Sequence, residues 1–216
     1  MKFRVYAPVT IAFLFCLVIL STAPFSAFAS IDDDARQKAA QAETYLKKLV
    51  DEVLVIVRDP DLIANPPAQE KTLYDKGLEI FDFNTFSMLA LGPKYRKFTP
   101  QQRTDFQTYF SKLISQTYFP KLAGQDVENI SINYLSNRPL KPKKKIFRTD
   151  IFTELVRGDT QIPIIYRMIS RDDAPWKIYD IKIEGVSMAA NYREQYSQQV
   201  SLTPEDIITQ LKEKVE

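Results

Sequence analysis

The sequence predicts an α+β fold in which helices from the first half of the chain pack on a four-stranded antiparallel sheet formed by the second half. Apolar residues recur at helical spacing as far as about residue 122, whereas from Val127 onward they alternate as in strands. A third observation is the C-terminal segment, where Thr203 and Pro204 are typical of a helix start. The apolar stripe of that last helix is Ile207, Ile208 and Leu211.

The first predicted helix runs from Asp32 to Val57. The acidic triplet Asp32 to Asp34 marks its expected start, because the helix dipole favours negative charge at an N-terminus. Pro60, Pro66 and Pro67 then interrupt the pattern. The apolar stripe of the helix consists of Ala42, Leu46, Leu49, Val50, Val53 and Val57.

Three more helices are expected before the sheet. The shorter two run from Gln69 to Ile80 and from Thr85 to Leu91. The clearest one runs from Pro100 to Leu122, because Thr99 and Gln102 have the spacing of a capping box. We expect it to form a wall opposite the sheet. Its broad apolar face consists of Phe106, Tyr109, Phe110, Leu113, Ile114, Thr117 and Tyr118.

Four strands are expected to form a meander, because the loops between them are short enough for hairpins. Gly185 interrupts the last strand, which is typical of a bulge or a close backbone approach, although a simple bend explains it equally well. The first expected strand contains Ile130, Ile132 and Tyr134 on one face, and the other three are Ile146–Glu154, Gln161–Ser170 and Trp176–Ala190. The loops expected between them are Arg138–Lys145, Gly158–Asp159 and Arg171–Pro175.

The N-terminus has the pattern of a secretory signal peptide. Lys2 and Arg4 precede the apolar run Ile11–Leu20, and Ala27-Phe28-Ala29 predicts cleavage before Ser30. The run is about half as long as a membrane-spanning helix, which argues against an anchor. We therefore expect a signal peptide at 1–29 and an exported domain at 30–216.

Composition excludes several functions of the exported chain. It has 27 basic and 27 acidic residues after loss of Lys2 and Arg4, so it has no general attraction for nucleic acid. The single cysteine, Cys16, leaves with the signal peptide, and there is no histidine. Relays of Ser-His or Cys-His type and zinc sites with nitrogen or sulfur ligands are therefore excluded, and no cofactor or metal is expected.

Two groups of charged residues leave alternatives open. Asp150 and Asp180 lie inside predicted strands, where each is either a salt-bridged strand residue or, beside a tyrosine, a catalytic acid. The lysine-rich run 141–145 is either a solvated loop or a contact for lipid phosphates.

The region near the end of the predicted sheet resembles the MlaC (toluene-tolerance) family. The resemblance is carried by Trp176-Lys177-Ile178-Tyr179-Asp180-Ile181-Lys182-Ile183-Glu184-Gly185-Val186-Ser187-Met188 with Asn191-Tyr192-Arg193, by Phe81-Asp82-Phe83, Met88, Leu91-Gly92, Tyr95-Arg96-Lys97 and Thr99-Pro100-Gln101-Gln102, and by Phe106, Phe110, Leu113 and Thr117-Tyr118.

The resemblance implies a twisted antiparallel sheet in a nuclear-transport-factor-2-like or cystatin-like roll, with a cavity for phospholipid acyl chains between sheet and helices. It also implies a periplasmic carrier without enzymatic activity. The carrier moves phospholipid between an outer-membrane lipoprotein–porin complex and an inner-membrane ABC transporter with a substrate-binding-type membrane subunit. This transport maintains outer-membrane lipid asymmetry and tolerance to toluene.

Residues from both apolar faces are expected to line the pocket. Two other hypotheses remain: a secreted acid-base enzyme that uses Asp150 or Asp180 with a tyrosine, and an envelope interaction module without a ligand. The expected lining residues are Phe106, Tyr109, Phe110, Leu113, Tyr118, Ile132, Tyr134, Phe147, Ile151, Ile164, Tyr166, Met168, Trp176, Gly185, Val186 and Met188.

Overall fold

A computed structural model describes residues 26–121 and 130–216. The predicted apolar run of the signal peptide lies outside these residues. The helices are α1 (Ser26–Arg58), α2 (Pro60–Ile63), α3 (Pro66–Ile80), α4 (Phe83–Leu91), α5 (Pro100–Tyr118), α6 (Met188–Gln198) and α7 (Pro204–Val215), with 3₁₀ segments at Gly92–Lys97 and Phe119–Lys121. The strands are β1 (Ile130–Lys143), β2 (Ile146–Arg157), β3 (Thr160–Arg171), β4 (Lys177–Ile183) and β5 (Val186–Ser187).

The α+β class and the antiparallel meander are confirmed, but the sheet has five strands in the order β1 to β5 instead of four. The expected fourth strand, Trp176–Ala190, was too long. Glu184 and Gly185 both have positive φ, 50° and 83°, and form a tight turn between β4 and β5. Ser187 then caps α6 by accepting a hydrogen bond from the Ala190 N–H. The chain therefore turns back and becomes helical where continuous strand was expected.

Gly185 is thus a turn residue, and the bulge expected there lies elsewhere. The register between β3 and β4 shifts at Tyr179, because Arg167 pairs with Asp180 while Met168 pairs with Ile178. The loop expected at Arg138–Lys145 is also shorter than predicted. Strand β1 continues to Lys143, which pairs with Ile146, so that Lys144 and Lys145 alone form the turn.

Most helices begin next to a capping side chain or at a proline. The capping box of Thr99 and Gln102 at the start of α5 is confirmed, and Thr203 forms a second one with Asp206 at α7. Prolines begin α2 and α3, where their missing N–H groups cost no hydrogen bond. Helix α1, however, begins at Ser26, so the triplet Asp32 to Asp34 does not mark its start.

The largest helical core, which we call the aromatic cluster, lies among α4, α5, α6 and α7. Phe86, Phe106 and Phe110 have no exposed surface, and the Phe110 ring lies 5.3 Å from Phe86 and 5.0 Å from Tyr192 between centroids. Helix α5 packs mainly on α7 and α4, so the expectation that it forms a wall opposite the sheet is wrong. The rings of the cluster are Phe83, Phe86, Phe98, Phe106, Phe110, Tyr192 and Tyr196.

A second core, the sheet cluster, forms where α1 crosses β1 and β2. It is the α1 stripe predicted from the sequence that packs here. The cluster consists of Ala42, Leu46, Leu49, Ile80, Ile151, Met168, Trp176 and Ile178.

A polar clamp joins the two cores. The Asp82 N–H donates to the Ile178 carbonyl at 2.8 Å, which ties the start of α4 to β4. The Asp82 carboxylate accepts hydrogen bonds from the Thr85 N–H and hydroxyl and from Arg171 of β3. Among the described residues, no helix is long and apolar enough to cross a membrane.

Candidate functional site

The sheet face that α1 covers, here called the inner face, is closed at one end. Residues paired across the strands share a face, so Thr149, Met168 and Ile178 form one row of it. Their exposed fractions are 0%, 0% and 3%. Leu46 and Leu49 of α1 pack in the same cluster. This end of the face is therefore ordinary core.

The other end of the inner face is incompletely covered. Ile132 pairs with Leu155, and Leu155 pairs with Ile162, in a row where all three remain half-buried. Neighbouring rows contain Thr153 and Ile164, which are buried. We call the half-buried apolar and tyrosine residues from Tyr166 toward this end of the inner face the open part, which leaves out the half-buried Phe147 at the other end: Ile132, Tyr134, Leu155, Ile162, Tyr166, Ile181 and Ile183.

Tyr166 indicates that the open part faces a crevice inside the fold. Burial alone raises the pKa of its hydroxyl to about 12. Its side chain nevertheless keeps solvent-accessible surface. Tyr166 packs against the sheet cluster, and the half-buried Ile162 lies further along the same strand, so this part of the inner face is incompletely covered. Because its neighbours are aliphatic, the crevice suits apolar groups.

Tyr134 lies at the α1 side of this crevice. Burial, followed by the nearby Tyr166, Asp51 and Glu43, raises the pKa of its hydroxyl. The Lys47 ammonium lies 4.8 Å from the centre of its ring and forms an ion pair of 2.8 Å with Glu43. The rim of the crevice on this side is thus polar, while its interior is apolar.

The helical side of the crevice is loosely packed near the end of α1. A small cluster there has only Val57 and Leu73 as buried members. Val53, Ile56, Phe119 and Ile130 pack against it but stay half-buried. The Phe119 ring lies on Gly77 of α3, where an added Cβ would approach within 3.0 Å. Among the described residues, this end is therefore packed mostly by half-buried side chains.

The residues expected to line one pocket fall into four places. In the aromatic cluster or packed against it lie Phe106, Tyr109, Phe110, Leu113, Tyr118 and Met188; in the sheet cluster or packed against it lie Tyr134, Phe147, Ile151, Tyr166, Met168 and Trp176; Ile164 is buried and Ile132 half-buried on the inner face; Gly185 and Val186 lie in the exposed β4–β5 turn. The structure thus brings Ile132, Tyr134 and Tyr166 together, and it does not bring them together with Phe106 or Phe110.

Several residues of the open part were not on the expected list. Leu155 lies one residue beyond the predicted end of its strand. Ile183 is the last residue of β4, directly before the tight turn, and pairs with Ile164. Ile162 has the same period-two spacing as Ile164 and Tyr166, so strand alternation was sufficient to find it. Val50 and Val53 of α1 pack against the sheet cluster and were predicted only as core.

Two depressions on the outer surface of α1 are less suited to ligand binding. One is bordered by Leu54, Val55, Arg58 and the start of α2, and the other by residues between Gln37 and Lys48. Both are open to solvent, and the second reaches Tyr45, which packs against the sheet cluster. The crevice combines depth, apolar walls and a polar rim, and it is the better candidate.

Asp150 and Asp180 lie on the opposite, outer face and are engaged by arginines. Arg138 donates to Asp150 at 2.6 Å, and Arg167 donates to Asp180 at 3.2 Å. Arg167 also approaches Asp150 at 3.5 Å in an ion pair without hydrogen-bond geometry. Asp180 further accepts the Ser187 hydroxyl at 2.6 Å and the Ala189 N–H at 3.0 Å, which fixes the start of α6. These contacts are those of structural ion pairs.

The lysines of the 141–145 run are exposed at the β1–β2 hairpin. Within 33–120 and 130–216, no three acidic or cysteine side chains are grouped so that they hold a metal ion.

The sequence model of the MlaC protein family matches residues 47–213. The chain belongs to the MlaC family. The match includes the end of the sheet cluster, the aromatic cluster and the whole open part. No curated protein matches the chain at a significant level.

A solved structure is also similar to this MlaC-family chain. It is the phospholipid-binding protein from Ralstonia solanacearum in complex with a phospholipid, with 26% sequence identity and a TM-score of 0.68. The alignment covers 80% of this chain and 95% of that protein.

Proposed function

We propose that this MlaC-family protein is a phospholipid carrier of the bacterial periplasm and that the crevice at the open part of the sheet holds acyl chains. The observation that carries the proposal is Tyr166, which lies deep in the fold and keeps accessible surface among aliphatic neighbours. The phospholipid in the related Ralstonia solanacearum protein supports the same ligand class for this chain.

A carrier needs such a crevice because free phospholipid is extremely insoluble. Two acyl chains contain about thirty methylenes, and exposing each to water costs ~0.8 kcal/mol, which amounts to about 24 kcal/mol. Ile132, Leu155 and Ile162 offer contact area without directional bonds. An apolar surface of this kind holds a chain and releases it to another apolar environment, and neither step requires proton transfer.

Location and partners form the finer part of the proposal. The signal-peptide pattern before Ser30 supports export to the periplasm. Membership of the MlaC family supports exchange of lipid with an outer-membrane lipoprotein–porin complex and an inner-membrane ABC transporter, and hence a role in outer-membrane asymmetry and toluene tolerance. The packing of α1 along the inner face supports a nuclear-transport-factor-2-like or cystatin-like roll.

The decisive experiment is analysis of lipid bound to protein purified from a bacterial periplasm. We expect native mass spectrometry to show one bound diacyl phospholipid per chain. Thin-layer chromatography of the extract should show headgroups in nearly their membrane proportions, because Lys47 is paired with Glu43 and no cluster of free polar groups surrounds it. Protein that carries no lipid, and takes none from vesicles, would overturn the proposal.

A further inference from the structure

Two tyrosine hydroxyls in the crevice have no hydrogen-bond partner. In the described part of the chain, no side chain or backbone group bonds to the hydroxyl of Tyr134 or Tyr166. Thr153, which lies between them on β2, is satisfied, since its hydroxyl donates to the Ile164 carbonyl at 2.9 Å. A buried hydroxyl without a partner destabilises the fold, so such groups normally find one.

Other tyrosines show the usual behaviour. Tyr74 is hydrogen-bonded to Ser111 at 3.1 Å, and Tyr95 donates to Asn84 at 3.2 Å. Tyr179 also lacks a partner, but its hydroxyl is fully enclosed and has no room for a ligand atom. Tyr166 and Tyr134 differ from Tyr179 because accessible surface remains on them. A ligand can therefore reach these two hydroxyls.

The charges around the pair select the kind of acceptor. Lys47, whose ammonium lies 4.8 Å from the Tyr134 ring, is paired with Glu43 at 2.8 Å, so the charges of these two residues largely cancel. The remaining charge that acts on Tyr134 is that of Asp51, which is negative. A carboxylate or phosphate placed at the tyrosines would thus meet repulsion, whereas a neutral carbonyl oxygen would not. Aliphatic residues on the same face fit the chain that such a carbonyl would carry.

We infer that Tyr134 and Tyr166 donate hydrogen bonds to ester carbonyls of a bound glycerolipid and so fix how deeply its acyl chains enter the crevice. This inference rests on the proposed function and adds a chemical preference to it. The carrier should prefer ester-linked to ether-linked lipids of the same chain length, although the ether has an apolar methylene in place of each ester carbonyl.

In the test, delipidated protein is incubated with vesicles that contain equal amounts of ester-linked and ether-linked phosphatidylcholine with matched chains. Native mass spectrometry then measures how much of each lipid the protein has bound. One net hydrogen bond corresponds to about fivefold, so we expect wild type to load the ester in about that excess. Tyr166→Phe and Tyr134→Phe should load the two lipids more equally. Tyr109→Phe is the matched control, because Tyr109 packs against the aromatic cluster and not against the sheet cluster.

Each outcome is informative. Equal loading of both lipids by wild type overturns the inference while leaving the carrier intact, whereas loading of neither overturns the proposed function itself. If palmitate displaces the ester lipid from wild type but not from Tyr166→Phe, the acceptor is a carboxylate and the ester assignment is wrong. Should a variant fail to fold, the infrared band of ¹³C-labelled ester carbonyls bound to wild type decides, since an unshifted band also overturns the inference.

Discussion

Phe110 in the aromatic cluster has no exposed surface, whereas Tyr166 on the inner sheet face is deep in the fold and remains accessible. Both regions are rich in aromatic and branched side chains. They differ in coverage, because helices surround Phe110 on several sides, whereas α1 lies along the inner face and leaves Ile132, Leu155 and Ile162 half-buried. The type of side chain therefore does not distinguish a core from a binding crevice, but the completeness of its packing does. The following four experiments test this distinction.

The largest effect is expected from Phe110→Asp. Phe110 contacts Phe86, Phe106 and Tyr192 with ring centroids 5.0 to 5.3 Å apart. Truncation to alanine alone should cost about 3–5 kcal/mol, and an unpaired buried carboxylate should cost more. We expect the variant to be unfolded in urea titrations with or without lipid. A delipidated Phe110→Asp protein with wild-type stability would mean that Phe110 faces the crevice; Tyr109→Ala, at a half-buried neighbour, is the control.

The clamp between the two regions should make stability depend on pH. Burial by itself raises the pKa of the Asp82 carboxyl. Hydrogen bonds from Thr85 and Arg171 and the positive charge of Arg171 lower the pKa by more, so that it lies below its usual value. Its contribution is therefore present at neutral pH and is lost as pH falls below about 4. We expect Asp82→Asn to be less stable at pH 7 by about 1.5–3 kcal/mol. The difference should shrink on acidification, and a difference independent of pH would contradict this account.

A matched pair of substitutions by tryptophan compares the closed and open ends of the same sheet face. Met168→Trp enlarges a side chain with no exposed surface and should destabilise the delipidated protein by about 1–3 kcal/mol. Ile162→Trp enlarges a half-buried side chain of the open part and should change stability by less than about 1 kcal/mol. The lipid retained per chain should fall more in Ile162→Trp. The reverse order in melting temperature and lipid content would place the crevice at the wrong end of the sheet.

The smallest effect is expected at the β4–β5 turn. An alanine Cβ at Gly185 meets no atom within 4 Å, but the φ of 83° is unfavourable for residues with a side chain. Gly185→Ala should therefore cost about 1 kcal/mol through backbone strain alone. Lipid content should stay at the wild-type level, because the turn lies outside the crevice. A loss of lipid without a loss of stability would show that Gly185 shapes the binding site after all.

The family resemblance, the fold class and most helices were predictable from local patterns. Thr99 and Gln102 predicted the start of α5, and the alternation of Ile162, Ile164 and Tyr166 predicted β3, because caps and strand periodicity depend only on near neighbours. Helix α6 was missed although Ser187 caps it and Tyr192 and Tyr196 recur at helical spacing. The strand predicted before it was extended across Glu184 and Gly185, where two residues with positive φ turn the chain back.

The sequence by itself determined that this protein has no histidine and a single cysteine, Cys16, and that its chain carries an amphipathic α1 and an alternating sheet. Only the tertiary structure decided which apolar face is closed. The face of α5 and the inner face of the sheet look alike as patterns, but α7 and α4 cover the first, while α1 lies along the second and leaves Ile132, Leu155 and Ile162 half-buried. Burial depends on contacts between residues far apart in the chain, such as Phe110 with Tyr192. Local periodicity specifies which side of an element is apolar, and it does not specify what covers that side.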